Sequence, residues 1–383
     1  MNERSYFKLN IIALILKLNT LLIKFLNIKI LRGIQEILLG LNAKVVFIVE
    51  KYDWAIEWVG KFITENLKKQ NLIKAEVTTL TFFKNKIFHF GSINCFLNKE
   101  GLINVKGGNK VVLTWFHINP EDERLKFLPI LKEKVDCLHT SSLITRNQLV
   151  ELGFNKDKIV VLPIGVDLNI FKIFNERKKN FFKSKYKIPQ NKVIVGSFQK
   201  DGAGWGDGLV PKLIKGPDIL CEVIQKLTKK FDIHVFLTGP SRGYVKKQLD
   251  EYKIPYTHIF LKDYKDIVEC YNVLDLYLIT SRAEGGPQAL LEAMSTGVPV
   301  VSTKVGMVPE LIQNGVNGFI TEIEEVDKLY EYSYRIISDP VLKTKIITNG
   351  LKKIKSYSWE KIAKRYYHSI YLNLLKELNS DPN

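Results

Sequence analysis

The sequence predicts an α/β protein built from two doubly wound, parallel-sheet domains that face a central cleft. Three observations carry this. The chain has 383 residues, a length that suits two domains better than one. Short runs rich in β-branched residues recur along it without polar alternation, as in parallel strands covered on both faces. Helical stretches separate these runs, so strand and helix alternate.

Taken in order, the first half carries apolar runs at 44–50, 75–83, 110–116, 135–141 and 158–164. The second half carries them at 192–198, 232–239, 257–261, 274–280, 299–303 and 318–321. The polar stretch 175–191, "NERKKNFFKSKYKIPQN", lies between the two sets and is expected to be a linker. These limits give a first domain over 41–185 and a second over 186–355. In such sheets ligands bind outside the carboxyl ends of the strands, so the shared cleft is where chemistry is sought.

Composition sets further bounds. With 57 Lys and Arg against 40 Asp and Glu, the formal charge is +17. That excess fits anionic partners, or equally a lysine-rich solvated surface, because the lysines are spread along the chain without a long tract. Cys95, Cys137, Cys221 and Cys270 form no CxxC pair and stand at no metal-ligand spacing to a His. This pattern points to a reducing compartment and away from a disulfide frame or a structural zinc site. Residues 1–40 are the most biased segment. On a helical wheel Asn10, Lys17, Thr20, Lys24 and Asn27 share one narrow side, with Leu, Ile and Phe over the rest. Lysines interrupt every apolar run before it reaches about 18 residues. Residues 7–32 therefore read as a helix lying in a membrane interface or packed under a domain. Export or a span is the remaining reading.

The chemistry gathers at 281–302, "SRAEGGPQALLEAMSTGVPVVS". The strand 274–280 runs into a turn at Ala283–Pro287, and a helix follows to Gly297. Gly285 and Gly286 let backbone approach a ligand closely. The helix start, with Pro287 and Gln288, favours a phosphate. Glu284 and Glu292 flank that place, and carboxylates there can hold the hydroxyls of two sugar rings. An ordinary strand–turn–helix with a capping Glu284 is the other reading. The glycine-rich stretch 196–218 adds Lys200, Lys212 and Lys215, cations suited to a diphosphate leaving group, or a solvated loop. It does not contain the GxxxxGK[ST] pattern of a P-loop. In the first half His117 stands just past a strand end, placed for a substrate hydroxyl or for a structural role. Gly165, in "LPIGVD", suits a tight backbone approach.

Together "EGGPQALLEAMSTGVPVVST", "VGMVPELIQNGVNGFI", "KIVVLPIGVD" and "KGPD" resemble glycosyltransferase family 4, retaining enzymes of the GT-B fold with an E-x7-E motif. The likeness covers nearly the whole chain after residue 40. It implies that Glu292 holds the ribose of a nucleotide and that Glu284 contacts the donor sugar. It implies that the backbone of Gly285, Gly286, Pro287 and Gln288 cradles diphosphate and sugar. Lys215 matches the family's diphosphate lysine. Lys200 is the nearest candidate for its usual arginine companion, and His117 matches a histidine near the donor sugar. Gly306 and Met307 stand where many members have two glycines. The ending 357–371 resembles the helix that crosses back to the first domain, giving a crossover segment over 356–377.

The resemblance implies transfer of a sugar from a nucleoside-diphosphate sugar to a glycan or lipid-linked acceptor, with the anomeric configuration kept. The setting it implies is cell-surface polysaccharide or lipopolysaccharide synthesis. The expected location is cytoplasmic, on the inner face of the membrane where residues 7–32 touch it. No DxD-like pair stands in the cleft stretches, so neither a metal nor a cofactor is expected, and no nucleic-acid partner. A sugar phosphorylase or nucleotide-sugar epimerase on the same fold is the first alternative. A non-catalytic basic membrane- or nucleic-acid-binding protein is the second.

Overall fold

A computed structural model of the chain describes residues 33–50, 55–98, 101–105, 107–119 and 122–380. The segment 7–32, with Trp54 and Glu121, lies outside the described residues.

The first half forms a sheet from β1 (Val45–Ile48), β2 (Ala75–Thr78), β3 (Ile87–Phe90), β6 (Lys110–Thr114), β7 (Cys137–Thr140) and β8 (Ile159–Val161). A small antiparallel pair, β4 (Leu97–Asn98) and β5 (Gly101–Leu102), stands beside it. The second half forms a sheet from β9 (Val193–Phe198), β10 (Ile233–Thr238), β11 (Tyr256–Ile259), β12 (Leu276–Ile279), β13 (Val300–Thr303) and β14 (Phe319–Thr321). The orders are β2-β1-β3-β6-β7-β8 and β11-β10-β9-β12-β13-β14, and every pairing within both sheets is parallel. Strands such as β1, β10 and β13 are buried at every position, because helices cover both faces. The chain reverses its winding between β1 and β3 in the first sheet and between β9 and β12 in the second. Crevices open at those two points.

All six second-half strands fall on the predicted runs. In the first half β3 was not anticipated. Its core "IFHF" is only four residues and carries a histidine between phenylalanines. His89 is fully buried because its ring nitrogens meet the Tyr371 hydroxyl at 2.6 Å and Thr114 Oγ1 at 2.7 Å. The stretch 175–191 also differs from the expected linker. It holds a helix, Glu176–Lys185, started by Asn175, whose side chain accepts from Lys178 N, and fixed by buried Phe182.

The chain returns to the first domain through helix Trp359–Tyr366, a π-helical turn Tyr367–Tyr371 and helix Leu372–Ser380. Two tyrosines dock it. Tyr371 reaches His89, and the Tyr366 hydroxyl lies 2.8 Å from His139 Nε2 on β7. Phe62, on helix Ala55–Lys69, stacks on Trp359 with centroids 5.4 Å apart. Residues 33–42 are helical, and Glu36 accepts from Thr78 Oγ1 at 2.6 Å and Thr79 N at 2.9 Å, at the carboxyl end of β2.

Candidate active site

The reversal point of the second sheet brings two loops together. One follows β9 and ends at Lys215. The other follows β12 and carries Glu284. Gly216 is what lets the first loop reach the second. Its φ is +60°, and a Cβ there would stand 1.9 Å from the Thr280 carbonyl oxygen. Thr280 Oγ1 in turn donates to the Gly216 carbonyl at 2.8 Å. Helix Pro217–Thr228 begins at once, with Pro217 at its first position, so Lys215 stands at a helix start. Arg282 is fully engaged in holding the loops. It binds Asp218 in a fork, at 2.9 and 2.7 Å, and also meets Glu324.

Lys215 Nζ lies 2.5 Å from Glu284 Oε1, and Ser281 Oγ donates to the same oxygen at 2.9 Å. The Glu284 side chain is 14% exposed. Burial alone raises its pKa, but the charge and hydrogen bond of Lys215, with Ser281, outweigh that. The carboxyl is therefore held below its usual range and is charged at neutral pH. Glu284 is not a helix cap: the helix is Gln288–Ser295, its N-cap is Pro287, and no side chain caps it. Pro287 thus stands one position earlier than the first helical residue.

The first domain meets this loop directly. A Cβ on Gly285 would stand 2.4 Å from the Phe116 carbonyl oxygen, so only glycine passes there. His117 follows Phe116, just past the end of β6, and so stands opposite Glu284. The walls of the cleft push its pKa below the usual value, with Lys215, Lys212 and Arg124 adding to the fall and Glu284 opposing it. The His117 side chain itself is exposed. Met307 N donates to the Gly285 carbonyl at 3.0 Å, and Gln288 Nε2 donates to the Gly165 carbonyl at 3.0 Å. The departure at Gly306–Met307 is thus a prop beneath the glycine turn.

Glu292 sits deeper. It is 2% exposed and lines a cavity of ≈ 240 Å³ between the domains, with Trp58, Phe62, Phe198, Tyr264, Gln288 and Trp359. The Tyr264 hydroxyl donates to Glu292 Oε1, and fully buried Tyr271 lines the same cavity. Burial raises the Glu292 pKa to about 7, against the pull of Tyr264, Tyr271 and Gln288. Tyr264 itself packs on Trp58 of the first domain, with centroids 5.5 Å apart.

The structure therefore brings Glu284, Lys215 and His117 to one place, with Gly285, Gly286, Pro287 and Gln288 between them and Glu292. Lys200 carries its ammonium 3.6 Å from the centroid of the Trp205 ring, within electrostatic reach of Lys212. Sequence reasoning missed Ser281, Tyr264 and Tyr271. Ser281 was readable as the polar residue closing β12. The two tyrosines gave no signal, because their relation to Glu292 exists only after folding. Among the described residues no three His, Cys, Asp or Glu side chains gather as a metal site. No described helix is long and apolar enough to cross a membrane.

Residues 209–353 match the family described as Glycosyl transferases group 1. An uncharacterized glycosyltransferase of Methanocaldococcus jannaschii is 28% identical over 239 residues, 62% of this chain and 58% of that one. The capsular polysaccharide biosynthesis glycosyltransferase CapM of Staphylococcus aureus is 23% identical over 247 residues, 62% of this chain and 59% of that one. The chain thus spans under three fifths of the length of these curated relatives. Among solved structures, HepE of Anabaena in complex with UDP and glucose superimposes with a TM-score of 0.67 at 18% identity, covering 86% of this chain and 99% of that one. Over 209–353 the chain is thus similar to group 1 glycosyltransferases, and its two-sheet architecture matches that of its GT-B structural neighbours.

Proposed function

We propose that this chain is a retaining, metal-independent glycosyltransferase. It moves a sugar from a nucleoside-diphosphate sugar to a glycan or lipid-linked acceptor, in cell-surface polysaccharide or lipopolysaccharide synthesis on the cytoplasmic side of a membrane. The observation that carries this reading is Glu284, a charged, largely buried carboxylate paired with Lys215 at a glycine turn, across a cleft from His117.

Each group has a task in such a transfer. The transition state gathers positive charge on the sugar and negative charge on the leaving phosphate. Lys215 and the starts of helices Pro217–Thr228 and Gln288–Ser295 stabilise the phosphate side, where preorganised charge is most effective. Glu284 holds donor hydroxyls and fixes the ring's orientation. His117, neutral at pH 7, accepts or donates a hydrogen bond on the acceptor side. Glu292 holds the ribose, exchanging the Tyr264 hydroxyl for those of the nucleotide. The glycine backbone leaves room for the diphosphate between the two acids. In this reading the leaving phosphate takes the acceptor proton, and Glu284 is not a covalent nucleophile.

A thermal-shift screen against nucleoside-diphosphate sugars, followed by nucleotide release with and without acceptor, tests this. A stabilising donor, acceptor-dependent release, a product with retained configuration and a rate unchanged by a chelator are expected. Glu284→Gln should keep donor binding and lose turnover. Binding of no sugar nucleotide, with salt-sensitive nucleic-acid binding instead, overturns the reading in favour of a basic binding protein. Donor turnover to an epimer, or to a sugar phosphate with free phosphate as acceptor, overturns it in favour of an epimerase or phosphorylase.

A further inference from the structure

The loop that follows β9 is far longer than the step from Phe198 to Lys215 requires, and the reaction just described uses only its end. It leaves the sheet at Gln199, runs out through Trp205, and returns by the bridge between Gly202 and Pro211. Its outer part exposes four large apolar side chains within nine residues. Trp205 is 66% exposed, Leu209 62%, Val210 67% and Leu213 52%. Scattered apolar residues on a surface are ordinary, but four large ones so exposed on one short loop mark a contact.

The exposure is built in. Asp201 and Arg242, both fully buried, pair at 2.9 Å at the root of the loop. Arg242 also donates to the Ser197 and Thr238 carbonyls at 2.6 and 2.9 Å, which ties the root to β9 and β10. Ser241 Oγ donates to the Gly206 carbonyl at 2.9 Å, Gly243 N to the Asp207 carbonyl at 2.7 Å, and Tyr244 N to the Gly208 carbonyl at 2.8 Å. Polar tethers thus hold the inner side while the apolar side faces solvent. A buried ion pair contributes little net stability compared with an apolar replacement, so here it fixes position.

Charge identifies the occupant. Lys212 lies within electrostatic reach of both Lys200 and Lys215, and Asp207 is the one acid within 203–213. Lys215 is paired with Glu284, whereas Lys200 rests on the indole of Trp205. Tryptophan beside aliphatic side chains, with lysines at their edge, is the composition that settles at the headgroup level of a bilayer. A sugar-binding platform pairs an aromatic face with hydrogen-bonding side chains, and this ledge offers leucine and valine instead. We propose that the ledge Trp205–Leu213 docks on an anionic lipid surface, with Lys200 and Lys212 meeting lipid phosphates. Resting on the glycosyltransferase reading, this makes the acceptor a lipid-borne phosphate or glycan, delivered at the membrane beside Lys215 and Glu284.

The test uses the full chain, whose five tryptophans are Trp54, Trp58, Trp115, Trp205 and Trp359. None lies in residues 1–40, so that segment is silent in fluorescence. Emission is followed on adding phosphatidylcholine–phosphatidylglycerol vesicles with brominated acyl chains. The wild type should lose about one tryptophan's share of its emission, and Trp205→Phe should lose none, with both chains bound to the vesicles. Equal quenching in the two chains overturns the proposal, since contact then runs through another part of the chain. No quenching in the wild type also overturns it, as does a Trp205 response to soluble oligosaccharide alone. Sugar-nucleotide affinity, measured without vesicles, should be the same in both chains. If the wild type binds no sugar nucleotide yet Trp205 is quenched, the enzyme reading fails while the lipid contact stands.

Discussion

Glu284 and Glu292 are eight positions apart on one loop and helix, yet their environments drive them in opposite directions. Glu284 has Lys215 at 2.5 Å and is held charged. Among the described residues no cation pairs with Glu292; Tyr264, Tyr271 and Gln288 surround it in an aromatic cavity, and its pKa stands at about 7. The difference teaches that the partner sets the role. A carboxylate paired with a lysine supplies fixed charge to a transition state. A carboxylate in a box of rings is poised to change its protonation when a ligand replaces its hydroxyl partners. Acids pushed apart in this way mark division of labour within one site.

The comparison breaks most sharply at Lys215. Lys215→Ala removes the cation facing the leaving phosphate and leaves Glu284 buried without its charge partner. Losing one preorganised electrostatic contact of this kind costs roughly 10²–10³ in kcat. The fall should appear in kcat with a smaller change in donor KM. A variant within a few-fold of wild type would mean that the pair at 2.5 Å is a structural tie.

The second effect is on stability, and of the two acids only Glu292 should lose it as pH rises. In the unfolded chain its carboxyl titrates near 4.5, and in the folded chain at about 7. Below 4.5 both states hold the proton. Between these values only the folded state does, and above 7 neither does. On this group's account the folded state loses stability as pH rises from about 4.5 to 7, by at most about 3 kcal/mol. Glu292→Gln keeps an acceptor for the Tyr264 hydroxyl and removes the charge. Its denaturant midpoint should exceed that of wild type at pH 8, and the gap should close near pH 4.5. An equal gap at both pH values would show that the carboxylate is better solvated than the cavity implies.

Which parts of this were readable from the chain follows from how far each signal reaches. Strands β9 to β14 announce themselves as apolar runs between breakers, and the acids of the loop and helix stand in a short local pattern. Gly285 was readable for the same reason, although its neighbour, the Phe116 carbonyl, was not. What stayed hidden depends on partners distant in sequence. His89 reads as an interruption until Tyr371 arrives, 282 residues later, to satisfy it. Tyr264 is one aromatic residue in "KDYKD" until the sheet sets it against Glu292, 28 positions on. Lys200 has the right charge at nearly the right place, but a tryptophan five residues away captures its ammonium.

The smallest effect is the finest test of the two-acid contrast, because it is read as a slope. Ribose hydroxyls donate best to a charged acceptor, a bond worth about 1.5–3 kcal/mol. With a pKa of about 7 in its cavity, Glu292 must release its proton before it can serve in that form. Below pH 7 each unit of acidity therefore adds about 1.4 kcal/mol to the cost of binding, or a tenfold rise in donor Kd. Isothermal titration at pH 6, 7 and 8 should show wild-type affinity rising and then levelling, with proton release on binding at pH 6 to 7. Glu292→Gln should bind more weakly than wild type at pH 8 and show no such slope. Glu284, already charged across this range, contributes nothing to it. A slope that survives in Glu292→Gln would move the titrating group elsewhere and leave the cavity without its assigned role in holding the nucleotide.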